Sequence, residues 1–547
     1  MTKYLAITLG PFDIFRSVRH TREVWGASYL FSYMARRLIE KMCENGNTKA
    51  NADHFIQPNI SDPRLFEPMS GVGLFPDHII VNAKILNGRN FEDIKKAVVQ
   101  ELGTLVGDKN GFLTAYLRIE CIECEVRANE NPIHIAATYL DAAELQPRLV
   151  SEFVLKKTSN SELQASPLKL FLKHINKKDG FMREHYQAFD VNDTVRFESL
   201  VEIATREVWK KDESSKNKYK YLVNKYLWNG DDDVDSDGEF VAALQKDFKD
   251  VFKTYHKYVC VVKADGDGIG KRITSLTDVS EIQKLSKSLL NWGLDVKDTI
   301  RAYGGVPIYV GGDDLLFFAP VCNNKSTIEP KNIVALLRQI KNNFVESFDE
   351  AEGFSPNLSF GLSISYYKFP LSEAIEKADS LLALVKKEDN KAQGNKGGKL
   401  AVSLLKHSGS TFDLELKLDD SKPLLAAFDG IYEQMGKEKV ADKAFLNGVN
   451  YKIRENQTLI ERVATDPARL QNVFENIFEQ NLKDPKAKDQ YLARLQSLIG
   501  VSFTNDVYQK QNEIENHVKV GTDMATKEVF STVRLAKFLR GLEELKD

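Results

Sequence analysis

The sequence predicts an α+β protein with two ferredoxin-like sheet units and two helical domains. The order strand, helix, strand, strand, helix, strand, which is typical of the ferredoxin-like unit, occurs twice along the chain. Helical periodicity dominates the remaining segments. A length of 547 residues is sufficient for three to four domains of about 150 residues each. We place a first sheet unit at 1–150, a helical middle domain at 151–250, a second sheet unit at 251–408 and a C-terminal helical domain at 409–547.

The composition is that of a protein with buried cores and no bulk positive charge. Hydrophobic residues make up 42% and charged residues 28%, and the formal net charge is −3. A binder that depends on overall positive charge is excluded, although a local basic groove is not. Five cysteines are too few for a disulfide framework in a chain of this length. No apolar run approaches the roughly 18 residues of a membrane helix. We therefore expect a cytoplasmic protein without membrane contact.

The first unit follows the ferredoxin-like order loosely. The apolar run Tyr4–Leu9 predicts its first strand. The turn at 71–77, where the second unit carries acidic residues, has no paired acids, so we expect this copy to be inactive if the chemistry needs clustered carboxylates. The other predicted elements are a helix at 24–42, a strand pair at 54–60 and 77–81, a helix at 91–102 and a long strand at 112–126.

Two segments outside the sheet units are predicted to be helical. Residues 150–250 are polar and mostly helical in pattern. From residue 410 onward apolar residues recur at helical spacing, which predicts a bundle. The predicted C-terminal helices lie at 424–435, 470–478, 492–499 and 529–545.

The second unit shows the same order more clearly. A buried-strand run, Tyr258–Val262, leads to Asp265-Gly266-Asp267, and a helix with one apolar face follows. Residues 308–310 and 315–318 flank Gly311-Gly312-Asp313-Asp314, which indicates a β-hairpin with acids at its tip. The remaining predicted elements are a helix at 333–348, a strand at 358–366 and a helix at 374–385.

Three carboxylates are predicted to converge in the second unit. The end of the first strand, with Asp265, should lie beside the tip of the hairpin, with Asp313 and Asp314. Carboxylates this close repel one another unless a divalent cation neutralises them. Mg²⁺ (or Mn²⁺) with carboxylate ligands and substrate phosphates is the arrangement of two-metal nucleotidyl transfer. The alternative is that Gly-Gly-Asp-Asp is only a hairpin turn.

These motifs resemble known families. Asp265-Gly266-Asp267 with the 311–314 motif is similar to the palm, or cyclase, domain of diguanylate cyclases and of the large subunit of type III CRISPR effectors. Ser359-Phe360-Gly361 and Ala378-Asp379 with Lys386 resemble later motifs of that domain. The N-terminal segments 4–11, 21–29 and 73–78 resemble the Cmr-type (type III-B) large subunit. On this resemblance both sheet units are palm (adenylyl/guanylyl cyclase-like) domains.

The resemblance implies a set of site residues. The metal-holding catalytic residues would be Asp265, Asp313 and Asp314. Lys386 matches a phosphate-contacting lysine, and Lys399, after Gly397-Gly398, is a weaker match; a solvated charge is the alternative for either lysine. The predicted nucleotide-binding residues are Gly266, Asp267, Gly268, Gly270, Gly311, Gly312, Lys386 and Lys399.

The implied activity is polymerisation of ATP into a cyclic oligoadenylate messenger, stimulated by target RNA and dependent on magnesium. In some relatives AMP is joined instead to S-adenosylmethionine (SAM). The implied partners are other Cmr-type subunits, CRISPR guide RNA and target RNA. The rival interpretations are a GTP-using cyclic dinucleotide synthase and a non-catalytic RNA-sensing scaffold.

Two features of many relatives are not matched here. No His-Asp dipeptide occurs among the nine histidines, so we expect no nuclease activity of the HD type. The pair Cys121 and Cys124 has no second CxxC partner pair, so we expect no four-ligand zinc site.

Overall fold

The structure is a computed structural model that describes most of the chain. The residues it does not describe are 11–19, 44–45, 68–70, 107–116, 146–196, 210–211, 228–235, 324–330, 349–353, 355, 392–396, 407–410, 420, 439, 479–484, 506–517 and 543–547. Much of the predicted middle domain, residues 151–196, therefore lies outside the described residues.

The first sheet unit has the ferredoxin-like connectivity that the sequence predicts. Its four strands lie in the order β2-β3-β1-β4, and β1 pairs antiparallel with both β3 and β4. The short β2 leaves a long connection, 58–77, before β3. The elements are β1 Thr2–Gly10, α1 Thr21–Met42, β2 Phe55–Gln57, β3 His78–Asn82, α2 Phe91–Val106 and β4 Arg118–Val126.

Both faces of β1 are buried, which explains why its sequence is a continuous apolar run. Leu5, Ile7 and Leu9 belong to the main core, together with residues of α1 and α2. Tyr4 and Ala6 point the other way, into a smaller core that includes residues of α3, Pro132–Glu144.

The described part of the segment between the two sheet units is helical. Its α-helices after residue 196 are α4 Leu200–Thr205, α5 Glu213–Tyr226 and α6 Ser236–Asp247. These helices share a core of their own, which includes Tyr219 and Phe240. The helical interpretation of the middle segment is confirmed for the residues described here.

The second sheet contains six strands in the order β10-β9-β8-β5-β7-β6. Its four strands β8-β5-β7-β6 repeat the order of the first sheet. The strands are β5 Tyr258–Asp267, β6 Val306–Gly311, β7 Asp314–Pro320, β8 Asn357–Tyr366, β9 Lys399–Leu405 and β10 Thr411–Lys417. The helices are α7 Ile269–Ser275, α8 Val279–Tyr303, α9 Ile333–Glu346 and α10 Leu371–Lys391.

The helical prediction from residue 410 onward is wrong for its first segment. Residues 411–417 form β10, which pairs with β9. The physical reason is a two-residue alternation in which Phe412, Leu414 and Leu416 are buried and the residues between them are not. The second sheet therefore runs past the predicted domain end at residue 408.

The C-terminal segment after β10 is helical, as predicted. Its helices contribute Leu425, Phe474 and Leu539, among others, to the same main core as the two sheets. They are α11 Pro423–Met435, α12 Lys443–Glu455, α13 Gln457–Val463, α14 Pro467–Phe478, α15 Pro485–Phe503 and α16 Val518–Leu539. Among the described helices, none combines the length and the apolar character that a bilayer crossing requires.

Candidate active site

The register of the second sheet brings the predicted carboxylates together. Ala264 of β5 pairs with Leu315 of β7, so Asp265 and Asp314 are the next residues beyond the last pair. Gly311 pairs with Asp314, which leaves Gly312 and Asp313 as the two-residue turn. Gly312 has φ of +68°, a conformation that glycine adopts without strain. The predicted acid-tipped hairpin is confirmed.

Gly266 lets the hairpin tip approach the end of β5. A Cβ atom at position 266 would lie 2.7 Å from Cβ of Asp313 and 2.8 Å from its Oδ2. No other residue type fits such a space without moving the hairpin. The glycine therefore has a packing role, and it positions the Asp313 carboxyl against the strand that carries Asp265.

Positive charge from nearby lysines compensates the hairpin carboxyls only in part. Burial, with repulsion from Asp265, raises the pKa of Asp313 to about 6. Crowding by protein atoms, with repulsion from Asp313 and Asp265, raises the pKa of Asp314 to about 7, although this residue remains exposed at the tip. Carboxylate oxygens whose charge the protein balances only in part fit a hard divalent cation such as Mg²⁺ or Mn²⁺.

Lys386, on α10, contacts the end of β5. Its ammonium nitrogen lies against Oδ2 of Asp265 and is 3.3 Å from Oδ1 of Asp267. It also donates a hydrogen bond of 2.8 Å to the carbonyl oxygen of Gly266. The lysine predicted to meet a phosphate therefore lies at the site, where it forms ion pairs with two aspartates and offsets part of their charge.

Asp267 is held differently from the other acids. Its side chain is 10% exposed. Its Oδ2 accepts hydrogen bonds from Ser359 Oγ at 2.7 Å and from the backbone N–H of Gly398 at 3.1 Å. These bonds tie β5 to the start of β9 and to Lys386. The contacts give Asp267 a positioning role, and its prediction as a nucleotide-binding residue remains a prediction.

The other predicted nucleotide-binding residues flank this centre. Gly268 has φ of +85° and precedes α7, and Gly270 has open space around its Cα. The ring of Tyr309 covers the Cα of Gly311. Lys399 begins β9, two strands from β5, and its backbone N–H donates to Ser359 Oγ at 3.3 Å.

The first sheet unit reaches across to the hairpin. Its loop 71–77 runs beside β6, where Gly73 forms a parallel bridge with Tyr309. The N–H of Val310 donates to the carbonyl of Gly73 at 2.8 Å, and Ser28 Oγ donates to the carbonyl of Ile308 at 3.1 Å. The edge strand that leads into the acidic turn is therefore covered by the other unit.

Two cavities share this junction. One, of about 160 Å³, is lined by the hairpin tip, by Gln57 and by residues of α8. The other, of about 480 Å³, is lined by residues of α1, by Lys263 and by Asp379. Asp77, Tyr309 and Asp314 border both. The sequence prediction missed Asp77 and Tyr309, because no motif shows that the 71–77 loop crosses to the other unit.

Neither the cysteine pair nor the acidic cluster is assembled as a ready metal site. Cys121 and Cys124 lie three residues apart on β4 and pack in different cores, on opposite faces of the strand. Among the described residues, no group of three or more His, Cys, Asp or Glu side chains is arranged to hold a metal ion. The carboxylate of Asp265 instead forms an ion pair with Lys386.

Comparison with known proteins identifies the second sheet unit. Residues 258–394 match the family described as Cas10/Cmr2, second palm domain. The CRISPR system Cmr subunit Cmr2 of Pyrococcus furiosus is 30% identical over 184 residues, which cover 28% of this chain and 19% of that protein. The aligned part thus spans about a fifth of the length of this curated relative.

Solved structures share the fold of nearly the whole chain. The apo state of a type III-B Cmr-beta complex contains a chain with a TM-score of 0.56 and 12% identity, covering 88% of this chain and 78% of that chain. The same complex bound to cognate target RNA gives a TM-score of 0.55 at 12% identity, with coverage of 88% and 79%. A Csm1–Csm4 cassette in complex with pppApApA gives 0.51 at 12% identity, with coverage of 98% and 69%.

The chain thus has the fold of the chains that it matches in the Cmr-beta and Csm1–Csm4 structures. Within that fold, residues 258–394 are similar to the second palm domain of Cas10/Cmr2.

Proposed function

We propose that this chain is the catalytic large subunit of a type III-B, Cmr-type CRISPR complex. When target RNA binds, it transfers adenylyl groups from ATP in 3′–5′ linkage and makes a cyclic oligoadenylate second messenger for antiviral defence. Its partners are the other Cmr-type subunits, CRISPR guide RNA and target RNA. The observation that carries this proposal is the meeting of Asp265 with the Asp313–Asp314 turn inside a palm domain.

The residues of the site fit a metal-dependent nucleotidyl transfer. Asp265, Asp313 and Asp314 are the residues that would hold Mg²⁺ or Mn²⁺. A metal bound there supplies activation of a 3′-hydroxyl and stabilisation of the leaving pyrophosphate. The raised pKa values of Asp313 and Asp314 are the electrostatic sign of a centre built to receive positive charge.

The cavities beside these acids support the proposal. The larger one, of about 480 Å³, falls within the roughly 300–1,000 Å³ of small-molecule sites and has Asp314 on its wall. Its lining residues come from both sheet units, so the first unit contributes to the site although its 71–77 turn has no paired acids. The fold relative solved with pppApApA makes an adenylate product the first one to test.

The test is a product analysis on the assembled complex. The complex is incubated with target RNA and magnesium, with ATP or GTP, in the presence and absence of SAM, and products are identified by mass spectrometry. We expect cyclic oligoadenylate from ATP alone. A product that forms only with SAM would show that SAM, and not a second nucleotide, accepts the adenylyl group. A product from GTP alone would favour a cyclic dinucleotide synthase. Absence of any product would favour a non-catalytic RNA-sensing scaffold.

A further inference from the structure

We propose that Lys386 is a built-in counter-ion, which occupies the metal-free carboxylate site and leaves it when a divalent cation binds. This inference rests on the proposed function, because it assumes that Asp265 is a metal ligand. It adds a residue that sets how readily the site accepts its metal.

The geometry around the ammonium is that of a cation in an oxygen cage. Three oxygen atoms surround Nζ of Lys386: Oδ2 of Asp265, the carbonyl of Gly266 at 2.8 Å and Oδ1 of Asp267 at 3.3 Å. Carboxylate and backbone carbonyl oxygens are also what hard divalent cations select. The ammonium and a metal would therefore compete for Asp265.

A fixed helix delivers the ammonium to this place. Two turns before Lys386 on α10, Asp379 forms a 2.6 Å ion pair with Lys263 of β5. Gly361 of β8 lets α10 approach so closely that a Cβ at this position would collide with the backbone at Ala378 and Leu382. The helix is thereby positioned against β5 and β8, and the charge sits at the end of a flexible four-carbon stem.

The balance of charge at the site is one-sided as a result. On the strand side Lys386 forms ion pairs with Asp265 and Asp267 and offsets one of their two negative charges, whereas on the hairpin side Asp313 and Asp314 repel each other. A cation that bridges strand and hairpin must first break the contact between Lys386 and Asp265. The freed ammonium remains beside the cleft, where it can pair with a phosphate group of the substrate.

The test measures metal binding without any catalytic turnover. Mn²⁺ is titrated into the full-length chain without nucleotide, and free Mn²⁺ is followed by electron paramagnetic resonance. The variants are Lys386→Gln and Lys386→Met, the latter keeping the aliphatic stem. Lys387→Gln is the matched control, because it removes the same charge from an exposed neighbouring position on α10.

We expect both Lys386 variants to bind Mn²⁺ roughly tenfold more tightly than the wild type, because a competing cation is gone. Lys387→Gln should change the affinity less than twofold. In the presence of Mn²⁺, the Lys386 variants should bind a non-hydrolysable ATP analogue more weakly than the wild type.

Unchanged or weaker Mn²⁺ binding by folded Lys386 variants would overturn the counter-ion role while leaving the metal site in place. An equal gain in Lys387→Gln would also overturn it, because the effect would then be one of general charge. Failure of the wild type and all variants to bind Mn²⁺ would overturn the metal site itself and the proposed function with it.

Discussion

At the scale of single residues, the acids of the site differ in how many positive or hydrogen-bonding partners the protein gives them. Lys386 and two hydrogen-bond donors satisfy Asp265 and Asp267, whereas Asp313 lies against the bare backbone of Gly266. In the absence of metal, the ionised forms of the two hairpin carboxyls are therefore disfavoured. This electrostatic cost is measurable as a dependence of the free energy of unfolding on pH.

Asp313→Asn should stabilise the metal-free protein at high pH. The pKa of about 6 in the folded state exceeds the ordinary value of about 3.9, so the folded state binds more protons than the unfolded one between these values. Stability linked to Asp313 is therefore fully present below about pH 4 and is lost as the pH rises through 6. With a chelator present, the variant should raise Tm by roughly 2–4 °C at pH 8 and by much less at pH 4.5.

Asp298→Asn is the control for this measurement, because Asp298 is exposed on α8. It should leave Tm nearly unchanged at both pH values. An equal gain from Asp313→Asn at pH 4.5 and pH 8 would show that the charge of Asp313 is not the cause.

His256 predicts a second pH dependence far from the carboxylates. Burial lowers the pKa of this histidine to about 3, and it is neutral in the fold. The unfolded state binds a proton near pH 6.5, so this contribution to stability is lost as the pH falls from about 6.5 towards 3. In urea titrations, His256→Gln should flatten the decline between pH 6.5 and 4.5; an unchanged slope would contradict the assignment.

At the scale of secondary-structure elements, the approach of α10 to the sheet decides where Lys386 lies. Gly361→Ala would place a Cβ against the backbone at Ala378 and Leu382, where neither chain segment can rotate away. We expect a loss of about 1–3 kcal/mol in the free energy of unfolding. Gly448→Ala on α12 is the matched control, since a Cβ there meets nothing within 4 Å, and it should be neutral or stabilising.

The measurement is urea unfolding of both glycine variants alongside Mn²⁺ binding. Displacement of α10 should also loosen the contact between Lys386 and Asp265, so Gly361→Ala should bind Mn²⁺ more tightly. A Gly361→Ala protein as stable as the wild type would mean that α10 does not rest on this glycine.

The elements themselves were largely predictable, because their apolar periodicities are local. The buried face of α8 and the alternation in β8 are visible in the sequence, and both elements form as predicted. The prediction for residues 411–417 was wrong because the helical pattern of the following residues was extended over a short alternating strand. The contact of Lys386 with Asp265 was not predictable, because it depends on how closely α10 packs on the sheet.

At the scale of the whole molecule, two copies of one sheet order have different tasks. The 71–77 loop of the first unit has no paired acids, but it lies along β6 and covers the edge of the second unit beside the site. No sequence signal links Gly73 with Tyr309, since they are far apart in the chain and belong to different units. This is why Asp77 and the shared cavities were not foreseen.

Ser32→Ala should release that loop. The Ser32 hydroxyl accepts hydrogen bonds from the N–H groups of Leu74 and Phe75, each 2.9 Å long. The variant leaves two buried donors unpaired, which costs about 1–3 kcal/mol. We expect lower unfolding free energy and lower nucleotide turnover. Ser380→Ala, at an exposed position on α10, is the control and should change stability by less than about 0.5 kcal/mol.

The central claim is that the end of β5 and the tip of the β6–β7 hairpin act as one catalytic centre. The most direct measurement compares product formation by the assembled complex carrying Asp265→Asn, Asp313→Asn or both, with Asp298→Asn as the control. We predict that each single variant loses at least about a hundredfold in rate and that the double variant is little worse than either. Wild-type rates in a folded Asp265→Asn or Asp313→Asn complex would contradict the claim.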